Sequence, residues 1–237
     1  MSPGVALALL KGMPEAPTHA ERLSGFYRTQ AKDYDSTRNR LLPGRSALME
    51  DVAARLPDEA TVVDLGGGTG GHLEYLGVAH RKIARLHLVD LCGPLLAKAR
   101  HRATDLGWDH LRIHEADACT WRAGAPVDAV ICSFSLTMIP DWFRAVDNAV
   151  AMLRPGGFLA VVDFQVSRAR PEAGRVRHPA WMRAVWPAWF AHDGVHPNPD
   201  HLPYLSHRLT PEVIHEDYTR MPWMPVRTPY YRFIGRR

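Results

Sequence analysis

From residue 61 to residue 164, short apolar runs alternate with stretches of helical period. Residues 61–65, 86–90, 111–115, 127–133 and 158–164 read as strands. Residues 94–106 and 141–153 read as helices, the first with Leu95, Ala99, Ala103 and Leu106 on one stripe. The run 127–133 is almost wholly apolar, as a strand buried on both faces must be. Strands alternating with helices imply right-handed βαβ units. The expected fold is α/β: a doubly wound, mostly parallel, Rossmann-like sheet closed by a final antiparallel strand. Its 237 residues suffice for a core without disulfides.

The N-terminal part adds helices to this sheet. Leu23, Phe26, Tyr27, Ala31, Tyr34 and Arg38 recur at spacings of three and four and predict a helix. Pro43 and Gly44 stop it, and Ser46 is positioned to cap a second helix that ends at Pro57. After residue 165 the pattern changes. Residues 166–211 carry Trp181, Trp186, Trp189, Phe190 and Tyr204 among many Pro and His, and read as a lobe or lid. Two strands, 213–218 and 230–234, follow around a Pro-rich turn. The expected organisation is a leader over 1–22, lid helices and a cofactor-binding core over 23–165, an acceptor-binding insert over 166–211, and closing antiparallel strands over 212–237.

The strongest motif is Asp64-Leu65-Gly66-Gly67-Gly68-Thr69-Gly70, set directly after a strand. Its core is Asp64-x-Gly66-x-Gly68-x-Gly70. Glycines let the chain turn tightly and let a ligand approach the backbone. Dinucleotide-binding proteins share such loops, so the loop alone is a weak signal. Two acids sharpen it. Asp90 ends the second strand, 20 residues past Gly70, where a carboxylate can hold two ribose hydroxyls. Asp117 follows the third strand, where it can accept from an adenine amino group.

In this order the chain resembles the class I S-adenosylmethionine-dependent methyltransferases. The resemblance implies S-adenosyl-L-methionine as cofactor, with the glycine loop and Asp64 beside its methionine part, Asp90 on the ribose and Asp117 on the adenine. Leu91, Ala118 and Ser133 join the same cofactor-binding set. The turn Leu153-Arg154-Pro155-Gly156-Gly157 is also similar. A dehydrogenase needs a catalytic domain or a Tyr-Lys or His pair downstream, and no such arrangement follows.

Stretches outside the cofactor core resemble the betaine-lipid (diacylglyceryl-homoserine) N-methyltransferases. They are Phe26-Tyr27-Arg28-Thr29-Gln30-Ala31-Lys32-Asp33-Tyr34-Asp35-Ser36-Thr37-Arg38, Ser133-Phe134-Ser135-Leu136-Thr137-Met138-Ile139-Pro140-Asp141-Trp142, Asn198-Pro199-Asp200-His201-Leu202-Pro203-Tyr204-Leu205 and Pro229-Tyr230-Tyr231-Arg232-Phe233-Ile234-Gly235-Arg236. Those enzymes trimethylate the amine of diacylglyceryl-homoserine, which a separate protein or domain makes. The chain departs at Gly67, where such loops hold Cys or another small residue. Two rivals share the cofactor: an N-methyltransferase for phosphatidylethanolamine or another small amine, and a noncatalytic cofactor-binding partner protein. A nucleotide-dependent oxidoreductase is a third.

Methyl transfer from a sulfonium is an in-line displacement by an amine lone pair. An ammonium has none, so a base must take a proton before each transfer. Tyr27, His201 and Tyr204 are the catalytic candidates. Tyr34 and Arg38, on the stripe with Tyr27, are candidates to close over the cofactor. Trp189, His196, Asp200 and Arg208 are the substrate candidates, since aromatic faces attract a quaternary ammonium and Arg holds a carboxylate. Arg38 and Arg45 are further candidates for a carboxylate, of the cofactor or of the acceptor.

Charge is uneven: residues 166–237 hold 11 Arg and no Lys against 6 acids. This lobe suits a lipid substrate at a membrane surface. No Lys/Arg cluster resembles a nucleic-acid motif, and no residues share metal-ligand spacing. The run 5–10 is too short for a signal-peptide core. Cys92, Cys119 and Cys132 form no disulfide framework and read as inert thiols. The expected setting is the cytoplasm, peripheral at the inner membrane face.

Overall fold

A computed structural model describes residues 12–28, 41–221 and 226–237. Tyr34 and Arg38 lie outside the described residues. The helix holding Tyr27, α1, is described over His19–Arg28. It starts earlier than the apolar stripe indicates because Thr18 and Glu21 form a capping box. The Glu21 carboxylate accepts from the Thr18 N–H at 3.0 Å, and the Thr18 hydroxyl accepts from the Glu21 N–H at 3.2 Å.

Helix α2 covers Arg45–Ala53, and its N-cap is Gly44 in the left-handed region (φ 75°), not Ser46. The Ser46 hydroxyl bonds Glu50 instead, at 2.9 Å. A Cβ on Gly44 would stand 2.7 Å from Tyr230. Packing against the last strand therefore sets the start of α2.

The alternating pattern folds as expected: β1 (Ala60–Leu65), β2 (Ile83–Asp90), α3 (Gly93–Leu106), β3 (Leu111–Glu115), β4 (Val127–Ser133), α4 (Trp142–Met152) and β5 (Leu153–Phe164). Between β1 and β2 a kinked 3-10 segment, Gly71–Lys82, replaces a crossover α-helix. The turn at Arg154-Pro155-Gly156-Gly157 is taken up within β5 as an irregularity. Leu153 pairs with Val127, and the next pair is Phe158 with Ala129.

Two helices follow, α5 (Ala180–Ala191) and α6 (His201–Arg208), then β6 (Thr210–Arg220) and β7 (Arg227–Arg236). The seven strands run β3-β2-β1-β4-β5-β7-β6. All strand pairs from β3 to β5 are parallel, while β7 is antiparallel to both its neighbours. The antiparallel strand thus lies inside the sheet, between β5 and β6.

Alternate residues of each strand feed two cores. On one face Val62, Leu88, Ile131, Ala160 and Val162 pack with α2, α3 and α5. On the other, Val63, Val130, Cys132, Leu159, Val161 and Phe233 pack with α4 and α6. The insert 166–211 is consequently not one lobe. Met182, Trp186 and Phe190 of α5 enter the first core, and Leu202 and Leu205 of α6 enter the second. Leu23, Phe26 and Tyr27 of α1 make a third cluster with Cys92 and Leu95 at the start of α3.

Candidate functional site

Parallel α/β sheets open a crevice beyond the carboxyl ends of strands where the strand order reverses, here between β1 and β4. A cavity of about 230 Å³ lies there. Its walls are the loops after β1, β2, β3 and β4, and α1 closes one side through His19, Leu23 and Tyr27.

The glycine loop supplies the floor. Gly66 and Gly68 both adopt positive φ, 70° and 56°, and both line the cavity. A Cβ on Gly66 would meet the Ser135 Cβ at 2.4 Å, so the β1 and β4 loops touch backbone to side chain. Gly70 does not line the cavity. A Cβ there would face Leu88 and Leu73, so Gly70 serves the turn.

Asp64 is fully buried beneath the loop and does not line the cavity. It touches the site through His72, whose Nε2 lies 3.1 Å from Asp64 Oδ2 and which is itself a lining residue. A Cβ on Gly67 would stand 2.4 Å from that carboxylate oxygen. Glycine at 67, the departure noted above, makes room for Asp64.

Asp90 sits at the carboxyl end of β2. Its Oδ2 accepts from the Gly68 N–H and its Oδ1 from the Cys92 N–H, both at 2.8 Å. Burial pushes its carboxyl up to about 6, and these two N–H donors oppose that rise. Asp117 is exposed, and its Oδ1 accepts from the Cys119 N–H at 2.8 Å. Leu91, Ala118 and Ser133 line the same cavity. Ser133 Oγ accepts from Arg45 Nε at 3.1 Å, and the Arg45 guanidinium stands 5.6 Å from the Phe134 ring centroid.

These residues fit S-adenosylmethionine. The loop leaves no Cβ between its backbone and a ligand. Asp90, a carboxylate at the end of β2, is one of the lining residues. The buried Ser135 Oγ lines the cavity and has no hydrogen-bond partner among the described residues.

Sequence reasoning missed His19, His72 and Ser135. The capping box at Thr18 placed His19 on a helix. A buried Asp64 needs a partner, and His72 stands just past the loop. Ser135 lay inside a quoted motif without a role.

The insert does not reach this cavity. His201 is fully buried, its ring 4.6 Å from Trp142 and 6.2 Å from Tyr231, and desolvation lowers its basicity to a pKa of about 3. Its two nitrogens lack partners among the described residues. This ring, held neutral by burial, does not line the cavity and is a poor base where it stands. Tyr204 donates to Asp147 at 2.8 Å, and Arg208 pairs with the same carboxylate at 2.8 Å. Asp200 pairs with Arg168 at 2.7 Å. Trp189 is 55% exposed on the outside of α5. His196 is exposed, and its backbone N–H donates to the Thr137 carbonyl at 2.8 Å. Of the catalytic candidates only Tyr27 lines the cavity. Of the Arg candidates for a carboxylate, Arg45 does and Arg208 does not.

His201→Phe tests this placement. Exchanging two unpaired nitrogens for an apolar ring of similar shape should leave stability within about 1 kcal/mol and turnover unchanged. A loss of turnover in a folded variant would return His201 to the reaction. The thiols are free. Cys92 and Cys132 are buried and Cys119 partly so. Desolvation pushes Cys92 and Cys119 up to about 12 and Cys132 up further, so none is a nucleophile at neutral pH.

Comparison with known proteins agrees with the geometry. Residues 62–157 match the family model described as a methyltransferase domain. A trans-aconitate 2-methyltransferase of Azoarcus sp. (strain BH72) is 34% identical over 119 residues, covering 49% of this chain and 45% of the relative. A dTDP-3-amino-3,4,6-trideoxy-alpha-D-glucopyranose N,N-dimethyltransferase of Streptomyces venezuelae is 29% identical over 147 residues, covering 60% and 56%. The chain thus spans about half the length of the curated relatives it matches. The N-methyltransferase NodS of Bradyrhizobium japonicum WM9, in complex with S-adenosyl-L-homocysteine, has the same fold, with a TM-score of 0.66 at 17% identity over 90% of this chain and 98% of that one. Residues 62–157 thus resemble a methyltransferase domain, and the chain shares the fold of a solved N-methyltransferase.

Proposed function

We propose that the chain is an N-methyltransferase that converts diacylglyceryl-homoserine to diacylglyceryl-trimethylhomoserine. The observation that carries this reading is where one resembling stretch lies. Ser133, Phe134, Ser135, Met138, Ile139, Pro140 and Asp141 all line the cavity. Seven of the ten residues in this stretch, which resembles betaine-lipid enzymes, are therefore cavity wall. The Streptomyces relative, an N,N-dimethyltransferase by name, supports nitrogen as the methylated atom.

S-adenosylmethionine, when bound, supplies an electrophilic methyl on its sulfonium. The protein must hold an acceptor beside it and exclude water. Arg45 is buried at the cavity and offers a cation to an acceptor carboxylate, as the homoserine head carries. Tyr27 and Phe134 offer ring faces to the growing ammonium. Tyr27 is also the remaining candidate to take the proton from the amine. Tyr34 and Arg38 are proposed to bind the cofactor, and the protein that makes the homoserine lipid is the proposed partner.

A second reading has its own support. Arg45 also suits a small carboxylic acid whose carboxylate is itself methylated, and the Azoarcus relative is named for trans-aconitate. One assay separates them. The protein is incubated with S-adenosylmethionine and, separately, diacylglyceryl-homoserine, phosphatidylethanolamine and trans-aconitate, with products read by mass spectrometry. Mono-, di- and trimethylated homoserine lipid is the expected result. Methylation of only one of the other two acceptors would replace the proposal.

A further inference from the structure

We propose that the outer face of α5 docks on an anionic lipid bilayer. Trp181, Val185 and Trp189 stand four residues apart, so they form one stripe. They are 47%, 42% and 55% exposed, while Met182, Trp186 and Phe190 fill the core from the opposite side. Ala184 and Ala188, also exposed, widen the apolar face. The only charged residue of the helix is Arg183. Two exposed indoles on a short amphipathic helix suit the boundary between headgroups and acyl chains, where the ring is buried and its N–H stays wet.

Charge selects the occupant. Residues 166–183 hold five Arg (168, 170, 175, 177 and 183) against Glu172, with Arg168 paired to Asp200 from outside the stretch. Arg170 and Arg177 are exposed. Such a surface attracts anionic headgroups and repels a second copy of itself. No described helix is long and apolar enough to cross a membrane, so the contact is peripheral.

The stripe is also tied to the cavity. Phe190 stacks on Phe164 at 4.8 Å, Phe164 meets Phe134 edge-on at 4.8 Å, and Phe134 lines the cavity. One aromatic row thus joins the docking helix to the cavity wall. This surface stands on exposure and charge alone and does not depend on the methylated acceptor being a lipid.

The test is co-sedimentation of the full chain with vesicles of phosphatidylcholine, with and without phosphatidylglycerol. The wild type should sediment with the anionic vesicles and come off as salt is raised. Trp181→Ser with Trp189→Ser should lower the partition by roughly tenfold or more. Arg170→Glu with Arg177→Glu should do likewise on anionic vesicles. Cofactor affinity should be retained in both variants, which shows that they fold. Wild-type protein that stays in the supernatant would overturn the proposal. So would Trp variants that sediment like wild type, or a dimer that the Trp changes dissolve while vesicle binding stands. Absence of methyl transfer with vesicle binding intact would sink the enzymatic reading alone.

Discussion

Asp90→Ala is expected to weaken S-adenosylmethionine binding by about 3 kcal/mol, roughly a hundredfold or more. Two ribose hydroxyls lose a charged acceptor, at about 1.5–3 kcal/mol each before the site relaxes. The loss goes further than the ribose, because the same carboxylate holds the Gly68 and Cys92 N–H groups and so pins the glycine loop to the start of α3. Asp90→Asn, which keeps an acceptor without the charge, should fall between wild type and alanine. Acidity adds a second signature. With its carboxyl raised to about 6, Asp90 is ionised above that pH and protonated below it. Hydroxyl donors favour the ionised form, so affinity should be flat above pH 6. It should fall by up to about tenfold per unit below. Asp90→Ala should remove this dependence. Calorimetry across pH reads both, and an alanine variant with wild-type affinity would refute the ribose assignment.

Gly66→Ala is expected to damage both fold and site. At φ 70° an alanine meets a strain of about 1–2 kcal/mol. Its Cβ would also press on Ser135 at 2.4 Å, and overpacking of this kind costs about 1–3 kcal/mol more. Thermal unfolding should show the destabilisation, and cofactor binding should fall with it, since Ser135 is cavity wall. Gly156→Ala is the control. It has positive φ but nothing within 4 Å of its Cβ, so only the strain applies. Equal stability of the two variants would mean that Ser135 yields freely and that the loop contact is loose.

The parts that were legible in the sequence share one property: their signals are local. Alternation of apolar runs located β1 to β5 to within a few residues, because side-chain period follows from backbone geometry. The glycine loop, Asp90 and Asp117 stood at strand ends, where chain order alone puts them beside one crevice. The insert failed as a single lobe because its two helices answer to different sheet faces. Nothing within residues 166–211 says that Phe190 meets Phe164 while Leu205 packs on the other side. His201 misled for the same reason. Beside Asp200 in the sequence it reads as reactive, and only its packing between Trp142 and Tyr231 strips it of water. The start of α1 was legible in Thr18-x-x-Glu21, but the apolar stripe drew the boundary at Leu23 instead.

The position of β7 also sets an order of assembly. Strands β6 and β7 are joined by a short connection and pair over ten residues, from Thr210 with Arg236 to Arg220 with Arg227. Such a hairpin closes a short loop and forms early, whereas docking β7 on β5 must bring together residues about seventy apart in the chain. Loop-closure entropy therefore favours pairing within the hairpin over docking of β7 on β5. Docking seats Tyr231 opposite Asp163. Asp163, fully buried in the finished fold, accepts from the Thr137 hydroxyl at 2.7 Å and its N–H at 3.1 Å. Thr137 sits in the β4 loop that walls the cavity. The last strand thus covers the carboxylate that anchors the cavity wall, although no residue of that strand lines the cavity itself.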